Sequence, residues 1–247
     1  MAKELVKVEQ YRALQPEANA VELIRENLGG QSISEWDLAR VKMPAGGGKA
    51  WEVPTLDDTE AVSVLQGVVL FFKESRSYWK DPYTGGNVPP DCSAADAREA
   101  TAQEGISIPA NANEEGHLLC DTCAYSEFGS AAGNGRGQAC KLTRQVFLLG
   151  PERMLPMVVS LPPTSLKPAQ GYFLSLADYG IDYKTLVTQI GLERVEGGGD
   201  VPAYSRATFK AGERMEGEQA ERIAAYAAEI KPHLMEVQVQ SADEIGG

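Results

Sequence analysis

No apolar run in the sequence approaches the ~18 residues that a membrane-spanning helix requires. The longest run, from Gly67 to Phe72, has only the length of a strand. The opening segment, MAKELVKVEQ, lacks the apolar core of a secretory signal. With 43% apolar and 23% charged residues, the composition is typical of globular proteins and argues against wholesale disorder. We therefore expect a soluble, cytoplasmic protein that does not bind membranes.

Catalytic motifs are also missing. The chain has only two histidines, His117 and His233, and contains no G-x-S-x-G, H-E-x-x-H or paired-carboxylate motif. The zinc-deaminase signature fails because no glutamate stands two residues after His117. The glycine triplet 46–48 lacks the Lys-Ser/Thr ending of a phosphate-binding loop. These absences predict a protein that is not an enzyme and has no catalytic residues.

Cysteine is scarce, but its four copies fall within residues 92–140. Disulfides are disfavoured in the reducing cytosol. A C-x2-C pair flanked by two further cysteines suits a tetrahedral zinc site, because the short spacer presents two thiolates to one ion. The pattern predicts a structural Zn²⁺ ion held by Cys92, Cys120, Cys123 and Cys140. A redox C-x-x-C, unrelated buried thiols, and His117 replacing one cysteine are the alternatives.

Positive charge is in deficit, since the formal net charge is −12 and the pI about 4.7. Taken alone, this argues against nucleic-acid binding, which usually needs a basic surface. The distribution is uneven, however. The segment from Arg136 to Tyr172 has five basic groups against the single Glu152, whereas residues 211–247 have three basic and eight acidic groups. The middle of the chain can therefore present a positive face.

Apolar patterning predicts several strands, mostly in hairpins. Residues 62–72 (VSVLQGVVLFF) indicate a buried strand with a kink or bulge at Gly67. The runs 145–149 and 155–161, separated by Gly150-Pro151, predict a hairpin. A second hairpin is predicted from 184–195 and 203–209. Residues 80–118 are rich in Pro, Gly, Asn and acidic residues and predict a long loop that zinc would pin.

Helices are predicted at 17–28, 168–179 and 216–230. Together with the strands, they favour a mainly β (α+β) fold: a small antiparallel OB-like barrel with a zinc-pinned loop insertion and terminal helices. The predicted division has three parts. These are an N-terminal helix and extended arm (1–60), the OB-like barrel (61–210) with its zinc-binding insertion (85–145), and a C-terminal helix with a short acidic tail (211–247).

Basic and aromatic residues alternate around the end of the best predicted strand, in the segment FKESRSYWK at 72–80. Proteins that bind single strands combine a positive groove with aromatic side chains on which bases stack. The cysteine-rich segment adds further residues of both kinds. The candidate nucleic-acid-binding residues are Arg76, Tyr78, Trp79, Lys80, Tyr125, Arg136, Lys141, Arg144 and Lys167. The alternative for each is a core aromatic or a solvated surface charge.

Five short motifs carry a resemblance to a known group of proteins: PPDCS (89–93), CDTCAY (120–125), FGS (128–130), GQACK (137–141) and LPPTSLK (161–167). Over about residues 28–210 the chain resembles phage- and prophage-encoded single-stranded DNA-binding proteins, whose genes lie beside replication and recombination genes. The resemblance implies an oligonucleotide-binding barrel, an acidic carboxyl-terminal tail that recruits partner proteins, and in some members a structural zinc. The chain departs from this pattern in its tail, which has only Asp243 and Glu244 in its last seven residues.

The sequence therefore predicts a zinc-stabilised single-stranded DNA-binding protein of phage-type replication and recombination. Its expected partners are single-stranded DNA and replication or recombination proteins, and self-association into a homo-oligomer is left open. The alternative is a zinc-ribbon adaptor that binds another protein, such as a replication, transcription or virion component, without binding nucleic acid. The overall acidity favours this alternative.

Overall fold

The computed structural model describes residues 7, 10–14, 20–31, 38–82, 88–131, 137–198, 202–235, 237, 239 and 242–245. The strands are β1 (Arg40–Val41), β2 (Trp51–Pro54), β3 (Thr59–Val62), β4 (Val64–Tyr78), β5 (Cys92–Ala94), β6 (Glu99–Ala102), β7 (Leu118–Leu119), β8 (Lys141–Leu149), β9 (Met157–Leu161), β10 (Leu186–Val195) and β11 (Tyr204–Arg214). The α-helices are α1 (Ala20–Asn27), α2 (Pro163–Asp178) and α3 (Glu218–Ile230).

Six of these strands form the main sheet, in the order β11–β10–β4–β8–β9–β1. All neighbours are antiparallel except β1 and β9. The fold is thus mainly β, as predicted, and its sheet is mixed. Among the described strands β1 and β11 stay at opposite ends, so the sheet is open and the predicted OB-like barrel is not confirmed.

Strand β4 joins this sheet to a small extension. One of its edges pairs with β8 from Val68 to Ser77. The other edge pairs with β10 between Val64 and Val68, and then with β5 between Arg76 and Tyr78. Beyond β5 follow β6 and β7. These short strands occupy part of the segment 80–118, for which the sequence predicted a loop.

Both faces of the main sheet are covered, which explains why β9 and the second half of β8, from Val146 to Leu149, are almost entirely apolar. On one face, Phe147 and Leu149 of β8 pack in a core that includes Ile223 and Ile230 of α3. On the other face, the core includes residues of α2 and of the β2–β3 hairpin. There Trp51 is fully buried and its Nε1 donates a hydrogen bond to the Ile190 carbonyl (3.1 Å).

The irregularity predicted at Gly67 lies three residues later. The register of β4 against β8 shifts between Val69 and Phe71, so Leu70 is the extra residue of a bulge. Gly67 is needed for close packing instead. A Cβ atom there would lie 2.6 Å from the Leu149 carbonyl oxygen, so no larger side chain fits without movement.

The remaining predicted elements agree in kind with those observed. The two hairpins are β8–β9 and β10–β11, and both are antiparallel. Helix α2 begins at Pro163, five residues earlier than predicted, because proline is well suited to the first helical turn. Within the described residues, no helix is long and apolar enough to cross a bilayer.

Segments near both ends of the described chain contact the main sheet. Strand β1 lies within the predicted N-terminal arm and pairs with β9. Near the other end, the Glu244 carboxylate is buried, where it accepts hydrogen bonds from Arg40 Nη1 (3.0 Å) and Ser160 Oγ (3.0 Å). Glu244, one of the two acidic residues of the tail, is therefore buried and hydrogen-bonded inside the protein.

Candidate metal centre and nucleic-acid surface

The four cysteines are positioned by different elements of the extension. Cys92 begins β5, opposite Tyr78 of β4. Cys120 and Cys123 flank a tight turn in which the Cys123 amide donates to the Cys120 carbonyl (3.4 Å). Cys140 directly precedes β8, and its amide donates to the Tyr125 carbonyl (2.9 Å). Two strands and one turn thus bring together cysteines that are far apart in sequence.

All four cysteines are buried, are not in disulfides and line the same cavity. Its volume is about 10 Å³. That is roughly the space that a single water molecule needs. The cavity therefore has room for about one small atom or ion and none for an organic substrate.

Burial makes these thiols weakly acidic. It raises the pKa of Cys92 and of Cys120 to about 12, with a further contribution from the neighbouring cysteines. The pKa of Cys140 is also raised by burial, although the nearby Arg76 guanidinium acts in the opposite direction. In the metal-free protein the thiols of Cys92 and Cys120 are thus protonated at neutral pH. This is unfavourable for a redox role of Cys120, which would need a reactive thiolate.

The donor set suits zinc, since four sulfur ligands make a closed structural site. The arrangement as it stands is not that of a metal centre. In the part of the chain that the structure describes, no group of three or more His, Cys, Asp or Glu side chains is placed so that it could hold a metal ion. His117 is exposed and does not line the cavity, so the structure does not support its replacing a cysteine.

Three of the predicted nucleic-acid-binding residues line the thiol cavity. Arg76 lies beside Cys140, and its Nη1 is buried. Tyr78 and Tyr125 stack on each other with ring centroids 4.5 Å apart. These side chains pack around the thiols, so the structure places them where β4 meets the extension and not in an open groove.

Comparison with protein-family models, with curated proteins and with solved structures finds no match. The site must therefore be interpreted from its own geometry.

Trp79 and Lys80 follow β4 and are nearer to solvent. Trp79 is partly exposed, and its Nε1 donates to the Val88 carbonyl (3.1 Å). Lys80 is exposed, and its amide donates to Asp91 Oδ2 (2.7 Å). Both remain able to contact a ligand at the surface.

The other basic candidates do not form one patch. Lys141 donates through Nζ to the Gln138 carbonyl (3.0 Å), and Lys167 is exposed on α2. Arg144 pairs with Glu74 (2.8 Å) and lies 5.0 Å from the centroid of the Phe72 ring. Arg136 lies outside the described residues. The sequence grouped these cations because they are close along the chain, but alternation along β8 sends Lys141 and Arg144 to opposite faces of the sheet.

A row of aromatic rings lies on the α2 face of the sheet, and the sequence analysis missed it. Phe72, Phe173, Tyr172 and Phe209 follow one another with centroid separations of 4.4, 5.3 and 5.5 Å. We call these four residues the ring row. Its members come from β4, α2 and β11, so no local spacing could have revealed it. All four are partly exposed.

Cations stand at the same end of the ring row. Arg144 lies over Phe72. Tyr183 packs against both Phe72 and Phe173, and Lys184 Nζ lies 5.0 Å from the centroid of the Tyr183 ring. Aromatic rings beside cations are the combination that the sequence analysis sought in the segment 72–80. In the structure this combination centres on Phe72 and α2.

Proposed function

We propose that this chain is a non-enzymatic, cytoplasmic single-stranded DNA-binding protein of phage-type replication and recombination. The ring row and its cations are the observation that carries the proposal. Stacking on an aromatic side chain contributes about 1–3 kcal/mol per base and tolerates any sequence, while nearby cations attract the backbone. The proposal does not need a closed barrel, because the strand would lie along the partly exposed ring row beside α2.

We also propose that the extension is stabilised by a structural Zn²⁺ ion held by Cys92, Cys120, Cys123 and Cys140. Support comes from the convergence of four buried thiols on a cavity with room for one ion. The thiols would have to close in and lose their protons when the metal binds. Zinc would fix the fold of the extension and supply no chemistry to a substrate, because four thiolates leave no open position.

The decisive experiment is a titration of fluorescently labelled oligothymidylate with the full chain, at low salt and again at higher salt. We expect binding that weakens steeply with salt, since phosphate contacts release counterions. Replacement of Arg144 by Gln should lower the slope of log K against log salt by roughly 0.7. Arg222→Gln is the matched control, because Arg222 is also paired with a glutamate but lies on α3.

A second variant addresses the rings. Phe173→Leu keeps an apolar side chain of similar size but removes the ring that contacts both Phe72 and Tyr172. We expect it to weaken single-strand binding by about 1–3 kcal/mol while the protein remains folded. Absence of strand binding by the wild-type protein at low salt would refute the proposed function.

The protein adaptor remains a second candidate because of one observation in the extension. Phe128, which lies between Cys123 and Cys140, is 83% exposed. An exposed aromatic side chain is a common anchor in protein interfaces, and the net charge of −12 would not oppose a basic partner. A chain that binds no strand but loses a protein partner on Phe128→Ala would favour this function.

A further inference from the structure

A groove lies between α2 and the β10–β11 hairpin, at the Tyr172–Phe209 end of the ring row. Its volume is about 390 Å³. That value falls within the range of small-molecule sites, roughly 300–1,000 Å³. Its lining includes Pro168, Gly171, Tyr172, Glu193 and Phe209.

Gly171 has no explanation within the fold. It lies in the interior of α2, where glycine is unfavourable, and its φ is not positive. A Cβ atom built on Gly171 would meet nothing within 4 Å. Neither backbone conformation nor packing therefore requires glycine here. In contrast, Gly67 and Gly212 face backbone oxygens at 2.6 and 2.8 Å.

A second helix-breaking residue lines the same groove. Pro168 lies one turn before Gly171 inside α2, where it cannot donate the usual backbone hydrogen bond. Two residues that weaken a helix on its groove-lining side indicate that this side serves a purpose other than stability. The missing side chain at Gly171 leaves room for a flat group to approach the helix backbone.

The groove wall is rigid and aromatic. The Tyr172 and Phe209 rings are stacked with an interplanar angle of 23°. The Tyr172 hydroxyl shares a hydrogen bond with Thr188 Oγ1 (2.9 Å), which fixes the ring. A preorganised aromatic wall loses little entropy when a planar ring packs on it.

Glu193 supplies a negatively charged hydrogen-bond acceptor to the groove. Its Oε1 accepts a hydrogen bond from Arg206 Nε (2.7 Å), and a carboxylate can accept several such bonds. The hydroxyl-bearing residues Ser175 and Thr208 also line the groove. An acidic acceptor beside an aromatic wall suits a planar ring that carries an amino group. Glutamate accepting from the exocyclic amine of cytosine is an established form of base recognition.

We propose that this groove binds one amino-bearing nucleobase, cytosine or adenine, in preference to thymine. The inference rests on the proposed single-strand function and specifies where one base of the strand would be held. Lys167 is exposed next to Pro168, so a cation is present for the phosphate of the same nucleotide.

The test compares labelled oligodeoxycytidylate with oligothymidylate, using the full chain at low salt. We expect the wild-type protein to prefer cytosine. Gly171→Leu should fill the groove and weaken oligodeoxycytidylate binding roughly tenfold, the loss of one stacked base. Ala177→Leu is the matched control, because it adds a leucine to an exposed position of α2 that does not line the groove. Thermal melting should show that both variants are folded.

Glu193→Gln separately tests the role of the carboxylate in choosing the base. It should reduce the preference for cytosine over thymine, again by roughly tenfold. Glu196→Gln is its control, since Glu196 also pairs with an arginine but does not line the groove. If the wild-type protein binds both strands equally and Gly171→Leu changes nothing, the inference is wrong while the proposed function stands.

A free-nucleotide titration separates the two proposals further. Deoxycytidine monophosphate is added to wild-type protein and to Gly171→Leu, and binding is followed by NMR. Nucleotide binding that Gly171→Leu abolishes, without any strand binding, would support the groove and refute the strand-binding function. Binding of neither nucleotide nor strand would overturn both.

Discussion

The main sheet and the cysteine-rich extension (residues 88–131 and 137–140) are held together by different means. The main sheet has apolar cores on both faces, in which Phe71 and Phe147 stack at 4.1 Å. Among the described residues of the extension, the apolar cluster has four buried members, of which two are cysteines: Cys92, Ala94, Ala100 and Cys120. So small an apolar core stabilises little by itself. We infer that the main sheet folds on its own packing and that the extension depends on what its thiols bind.

The largest expected effect is on the main sheet. Phe147→Ala removes a fully buried ring from between the sheet and α3 and should lower the free energy of unfolding by about 3–5 kcal/mol. Urea denaturation followed by tryptophan fluorescence measures this. Phe128→Ala is the matched control, because the same truncation at an 83% exposed site of the extension should leave stability unchanged. Equal losses for the two variants would contradict the proposed difference.

The next effect is confined to the extension. Four thiolates would hold about one zinc ion per chain. We expect Cys123→Ser to abolish this binding. Because metal binding at such a site is folding energy, the extension should then become sensitive to proteases. The main sheet should melt almost as before. Elemental analysis and limited proteolysis provide the two measurements.

His117→Gln is the control for the zinc experiment. His117 is exposed and away from the cavity, so this variant should keep its zinc. A wild-type protein that is metal-free and resists proteolysis throughout the extension would refute the zinc site.

The smallest effect concerns the tyrosine pair that joins β4 to the extension. Tyr125→Leu removes the ring that stacks on Tyr78 and should reduce the stability of the extension by about 0.5–1.5 kcal/mol. Hydrogen exchange at the Cys140 amide, which donates to the Tyr125 carbonyl, reports this locally. Tyr125→Phe keeps the ring and should have a smaller effect. Faster exchange throughout β8 and β9 would show that the two regions are not separate.

The elements of the main sheet were predictable because their signals are local. Alternation, apolar runs and the Gly150-Pro151 turn lie within a few residues of each other, and they located both hairpins and the strand containing Val68. The C-x2-C spacing likewise identified the cysteines that line one cavity. The end of β4 was missed because Glu74 and Arg76 are in a strand only through pairing with distant strands, β8 for both and also β5 for Arg76.

The nucleic-acid candidates were harder to predict because they depend on which face each side chain takes. Arg76 and Tyr78 were read as surface residues from their charge and ring, but the structure turns them towards the thiols. Phe72 and Phe209 are adjacent to α2 only in three dimensions. Composition does not encode that proximity. The open sheet was missed for the same reason, since strand count alone does not determine closure.

The bulge at Leu70 has a consequence for insertions and deletions in the gene. Before it, odd-numbered residues of β4 such as Val69 face α2; after it, even-numbered ones such as Phe72 do so. Removing the single codon for Leu70 would therefore delete the extra residue, so that Val69 and Phe71 become neighbours on opposite faces and every later side chain keeps its present face. Removing a codon after the bulge, such as that for Lys73, would instead turn Arg76 away from the thiols and Ser77 towards them. We expect this stretch of the gene to tolerate the loss of Leu70 better than any other change in its length.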